Sequence, residues 1–135
     1  MARSSRSSQV SDAPTEDEAA TFDRLVPLLV AAHREMSELS RKKQDGIVNA
    51  LKIRNINRLL VELQKLLAAD PSRDFVELLD EESLPENSDV VLLLSQWQAA
   101  LTQYKERHHG IDAVMNQRRW FTVENPAPDR KRVGH

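Results

Sequence analysis

The sequence predicts an all-α protein: a compact antiparallel bundle of three long helices plus one short helix, with disordered N- and C-terminal tails. Three observations carry this. There are only three glycines and few β-branched residues in alternation, which leaves little material for hairpins. Leu, Ala, Glu, Gln, Lys and Arg, the favoured helix formers, are abundant. Apolar residues recur at three and four positions along most of the chain. At 135 residues the chain fits one domain, given roughly 100–200 residues per domain. The expected domain runs from 15 to 121, between tails at 1–14 and 122–135.

The first helix is expected to start near Thr15, whose spacing to Glu18 is that of a capping box. Phe22, Leu25, Leu29, Ala32, Met36 and Leu39 then form one stripe. Pro27 falls inside it, so either the helix kinks there or an early turn precedes a helix starting near Pro27. Lys42-Lys43-Gln44-Asp45-Gly46 closes the element with cations at its C-terminus and Asp-Gly turn chemistry.

A second helix follows, with Ile53, Ile56, Leu60, Leu63 and Leu67 as its stripe and Val48, Leu59 and Leu66 widening the buried face. Asn49 and Asn57 border that face. Asp70-Pro71 ends the helix, because the residue before proline is biased away from helical geometry. Ser72 is then expected to cap a short helix, SRDFVELLD, in which Phe75, Leu78 and Leu79 share a side and lie over the core.

The third long helix is expected from Asn87 or Ser88, with Asp89 in its first turn. Its opening run, Val90 to Leu94, could be a buried strand by itself, but Val90, Leu93, Leu94, Trp97, Leu101 and Tyr104 extend one helical stripe to a stop at Gly110. Leu92 lies on the opposite side and is left unexplained by that stripe. Ile111, Val114 and Met115 suggest another amphipathic turn or two before Arg118-Arg119-Trp120-Phe121. Beyond Glu124 the segment is basic and proline-containing, with no core former except Val133.

Function is bounded mainly by exclusion. With no cysteine, disulfides, Cys-ligated zinc and thiol nucleophiles are ruled out. No His-x-x-x-His spacing, calcium loop, phosphate-cradling glycine loop or serine nucleophile elbow can be assembled, so no cofactor or metal is expected. His33 is expected to be partly buried and hydrogen-bonded. Tyr104, His108 and His109 are the sole residues on which an enzymatic reading rests, and a solvated helix end is the simpler account of them. The Arg- and Ser-containing start lacks the apolar segment of a secretory signal, and the expected location is cytoplasmic.

The leading expectation is therefore a non-enzymatic protein-protein interaction module, an adaptor or a homo-oligomer. Its motive is apolar surface beyond one stripe per helix: Val91, Leu92, Trp120 and Phe121 above all, with Ile47 and Leu51. Trp120 and Phe121 have equally the composition of a clasp folded back on the chain. The alternative is a nucleic-acid-associated regulator using Arg41, Lys42, Lys43, Arg54, Arg58 and the basic tail. Against it, the net charge is -2, and Glu62 between Arg58 and Lys65 suggests an ion-paired face instead.

Overall fold

Thr15 caps the first helix, α1 (Glu16–Lys42), in a full capping box: its hydroxyl accepts from the Glu18 N–H at 3.1 Å, and its own N–H donates to Glu18 Oε1 at 2.9 Å. The computed structural model describes residues 12–128. Pro27 lies within α1 without ending it; lacking an N–H, it leaves the Asp23 carbonyl without that intrahelical bond on an exposed face. The other long helices are α2 (Ala50–Leu66) and α3 (Asn87–His108). No helix among the described residues is long and apolar enough to cross a membrane.

The core is the meeting of the three stripes. Leu29 and Met36 of α1, Ile53, Leu60 and Leu63 of α2, and Val90, Leu94, Trp97 and Leu101 of α3 are all essentially removed from solvent. Each such aliphatic side chain contributes about 1.5–3 kcal/mol on burial. Asn49, expected beside the apolar face, is instead the α2 N-cap, with Oδ1 accepting from the Lys52 N–H at 2.8 Å. The α3 cap is Glu86 rather than Asn87 or Ser88; its N–H donates to Asp89 Oδ2 at 3.2 Å.

The α1–α2 connection is short and the two helices are antiparallel, while α3 starts beside the end of α1. There the Asn87 N–H donates to the Gly46 carbonyl (2.7 Å), the Ser88 N–H to Gln44 (3.1 Å) and the Val48 N–H to Pro85 (3.0 Å). The Asn87 side chain adds a bond from Nδ2 to the Lys43 carbonyl at 2.8 Å. Gly46 leaves room for this side chain, since a Cβ on it would come within 2.8 Å of Asn87 Nδ2 and push it from the Lys43 carbonyl. It follows that α2 and α3 run parallel, and the chain between them must return the length of the bundle.

That return corrects the expected fourth helix. Pro71–Phe75 is a short 3-10 turn capped by Asp70, and from Val76 onward the chain is an extended strap. Val76 and Leu79 are buried, whereas Phe75 is 77% exposed and Leu78 is also exposed. Three hydrogen bonds hold the strap out of helical geometry. Asn57 on α2 binds both main-chain groups of Leu79, and Trp97 Nε1 on α3 donates to the Glu77 carbonyl at 2.8 Å. The strap thus lies between two parallel helices and satisfies polar groups of both.

A second correction concerns the segment after α3. His109–Asp112 (β1) and Gln117–Trp120 (β2) form an antiparallel hairpin, with His109 opposite Trp120 and Ile111 opposite Arg118. The turn dispenses with glycine: Asn116 takes the left-handed conformation at φ 53°, and Asp112 Oδ1 accepts from the N–H groups of Val114 (2.9 Å) and Met115 (3.1 Å). Gly110 is not a helix stop but a strand position against which the Phe121 ring packs.

The positions 15 and 121, expected as domain boundaries, lie beside a joint between the first and last described segments. Pro14 and Thr122 are buried, the Val123 N–H donates to the Pro14 carbonyl at 2.9 Å, and Thr122 Oγ1 donates to Glu16. The expected tails, over 1–11 and 129–135, lie outside the described residues, as do the bases Arg130, Lys131 and Arg132.

Candidate interaction site

The polar end of the hairpin is organised by one guanidinium. Arg119 Nε donates to Asp112 Oδ2 at 2.7 Å, Nη1 to the carbonyls of Trp120 (2.9 Å) and Asn125 (2.8 Å), and Nη2 to Pro126 at 3.0 Å. Its plane also lies 4.8 Å from the centre of the Phe121 ring. Arginine is suited to this because it carries five donors in a fixed fork. The hydrogen bond from Arg119 holds the Asp112 carboxyl below the usual carboxylate range, with the turn N–H groups adding to it.

With the hairpin fixed, Trp120 is laid onto the bundle. Its ring meets Phe22 edge-on at 4.9 Å between centroids, His109 at 5.3 Å and Tyr104 at 6.3 Å. Its Nε1–H is shared by the two Asp23 carboxylate oxygens at 3.1 and 3.3 Å. This clasp separates two clefts. One, of about 640 Å³, lies between the first turns of α1 and the hairpin and is lined by Ala19, Val114 and Met115 together with charged groups. Those groups are already engaged: Glu16 by Thr122, Asp23 by Trp120, and Asp112 by Arg119.

The other cleft is an open groove of about 480 Å³ formed by α1, α3 and the hairpin alone. Phe22, Val26 and Val30, each four residues apart, line the α1 wall, and Leu101 with the flanking Gln98 and Thr102 lines the α3 wall. Lys105, His109 and Arg118 gather at the hairpin end, with Glu106 the one acid among the lining residues. Lys105 and Arg118 are exposed, and neither forms an ion pair among the described residues. Lys105 Nζ sits 5.9 Å from the centre of the Trp120 ring. Burial, reinforced by the charges of Lys105 and Arg118, lowers the His109 pKa, so His109 is neutral at pH 7. Comparison with family models, curated proteins and solved structures returns no match.

Tyr104 and His108 are in contact, their ring centroids 4.9 Å apart, and line a small pocket of about 140 Å³ with Asp70 and Arg107. Burial, with Glu18 and Asp70 nearby, pushes the Tyr104 hydroxyl up to about 12. Burial and the Arg107 charge push His108 down. Asp70 and Arg107 are paired with each other. No three His, Asp or Glu side chains converge on a metal position among the described residues. His33 is half-buried, with Nε2 2.9 Å from Ser95 Oγ.

The residues singled out for partner binding are dispersed. Val91 is half-buried against the core, Leu92 is 61% exposed, Trp120 is the clasp, and Phe121 packs on Gly110 beneath Arg119. Leu92 lies near the start of α3 and the Trp120 contacts near its end, about 20 Å apart at 1.5 Å per residue, so the two do not share one surface. Ile47 and Leu51 are exposed near the start of α2, and Ile47 pairs its main chain with Glu86. The cations Arg41, Lys42 and Lys43 close α1, and Arg54 and Arg58 lie on α2; all five are exposed and none forms an ion pair among the described residues. Glu62 pairs with Lys65 at 2.9 Å and not with Arg58.

Arg119 and the groove are the parts sequence reasoning missed. Arg119 was visible only as half of an Arg-Arg pair. The groove combines residues from three elements, and no local spacing announces that.

Proposed function

We propose that the chain is a non-enzymatic protein-interaction module that receives a segment of another protein in the groove between α1 and α3. The observation that carries this is the pairing of an apolar wall, Val26, Val30 and Leu101, with two cations, Lys105 and Arg118, that form no ion pair among the described residues. Apolar lining gives such a site its affinity, and unpaired rim charges give orientation and encounter rate. The small Tyr104–His108 pocket supports the non-enzymatic side of the reading. Its tyrosine stays protonated and its carboxylate is tied up by Arg107, leaving no activated nucleophile beside a base.

Val30→Asp tests the reading, because Val30 is at the groove edge and its replacement leaves the core intact. Proximity cross-linking in cells with wild type and variant, scored by mass spectrometry, is expected to lose a defined partner set in the variant. Identical sets from both proteins would overturn the assignment to this groove. Light scattering over a concentration series separates a hetero-partner from self-association, which would appear as a dimer that Val30→Asp disperses.

A further inference from the structure

Resting on that docking reading, we propose that the groove takes an amphipathic helix of about three turns, acidic toward its C-terminal end, with that end against Lys105 and Arg118. Its length follows from the α3 wall, which runs from Gln98 to Glu106, about 12 Å at 1.5 Å per residue, and is prolonged by His109 at the start of β1.

A helix fits better than an extended peptide because both walls are helices whose main-chain groups are already bonded along their own axes. From Val26 to Leu101 the groove runs over helix surface, where an extended segment would lay unpaired N–H and C=O groups, whereas a helix brings its own hydrogen bonds. The four-residue spacing of Phe22, Val26 and Val30 also presents a ridge that suits a facing stripe at three and four.

The direction follows from charge. Lys105 and Arg118 both sit at the hairpin end with a single acid, Glu106, and the pKa of His109 there is lowered, so that end of the lining stays net positive. The far end, at Val30 and Gln98, contributes no charge to the lining. A helix C-terminus carries the negative end of the peptide dipole, so acidic residues in its last turn and the dipole itself both favour the hairpin end.

The test uses the full chain and three fluorescein-labelled helical peptides of about 14 residues, sized for three to four turns, with one shared apolar stripe. In the first the acids occupy the C-terminal third, in the second the N-terminal third, and in the third lysines replace them. Fluorescence anisotropy is expected to rank the first peptide about tenfold or more tighter than the others at low salt, with the gap closing as salt screens the rim. Lys105→Gln and Arg118→Gln are each expected to weaken it by about three- to tenfold with unchanged circular dichroism melts, and Val30→Asp to remove binding.

Equal affinity for all three peptides would overturn the acidic, directional partner while leaving a groove that binds helices. If no peptide binds but Val30→Asp still loses its cellular partners, the helix fails and the docking reading stands. Displacement of the first peptide by dodecanoate in wild type, and not in Lys105→Gln, would also overturn the proposal, showing an acyl-chain site instead.

Discussion

Asn57 holds Leu79 by both of its main-chain groups: Nδ2 donates to the Leu79 carbonyl at 2.8 Å, and Oδ1 accepts the Leu79 N–H at 2.8 Å. The side chain substitutes for a neighbouring strand, giving an extended segment its pairing between two helices. The bond is buried, so its loss cannot be made good by water.

Asn57→Leu is therefore expected to destabilise the fold by about 2–4 kcal/mol, since two buried main-chain groups lose their partners at once. Urea unfolding followed by circular dichroism measures this, with Trp97 emission read in a Trp120→Phe background. The strap carries the Glu77 carbonyl that Trp97 binds, so the native emission should shift before the global transition.

Gly46→Ala is expected to cost about 1–3 kcal/mol, because its Cβ must displace the Asn87 side chain from the Lys43 carbonyl. A double-mutant cycle with Asn87→Ala checks the cause. With Asn87 already shortened, the alanine at 46 should cost much less; an equal cost in both backgrounds would contradict the close approach.

Acid is expected to destabilise the fold in two stages. His108 and His109 both have pKa values lowered from 6.5, mainly by burial, so the folded state binds fewer protons than the unfolded chain and stability falls as pH drops below about 6.5. For Asp70, burial alone would raise the pKa, but hydrogen bonds from Ser72 and the pairing with Arg107 outweigh it, and Asp112 is lowered by Arg119. Their contributions are present above 3.8 and disappear as pH falls through the lowered folded values. Thermal melts from pH 8 to pH 2 should show both stages, with His108→Gln and His109→Gln together flattening the first.

Truncation after Phe121 is expected to destabilise the fold, not to trim a tail. It removes Thr122 from Glu16, Val123 from Pro14, and two carbonyls from Arg119. Hydrogen exchange should then rise at the hairpin and in the first turn of α1.

The helices were legible in the sequence because their stripes persist for several turns, long enough for a 3.6-residue period to stand out from any alternative. Thr15 with Glu18 likewise needs nothing beyond local spacing to act as a cap. The strap was not legible. Phe75, Leu78 and Leu79 imitate a helical face, and it is the distant pair Asn57 and Trp97 that keeps the segment extended. The hairpin escaped for a different reason: Asp112 and Asn116 supply the turn without glycine. Of the groove, Phe22 and Leu101 were legible as stripe residues, whereas its walls assemble Val26, Val30, Leu101 and Lys105 from helices that only folding brings together.

The bond from Val123 to Pro14 and the one from the Glu16 N–H to Glu124 Oε1 at 3.0 Å bring the described chain close to a ring. A linker joining these neighbours would close the covalent path, and a new opening at the exposed turn around Glu82 and Ser83 would leave every helix whole. In such a rearranged chain α3 would come first in order and α2 last. The strap would then be the segment divided, and its half held by Asn57 and Trp97 would have to find its place between two helices separated by almost the whole sequence.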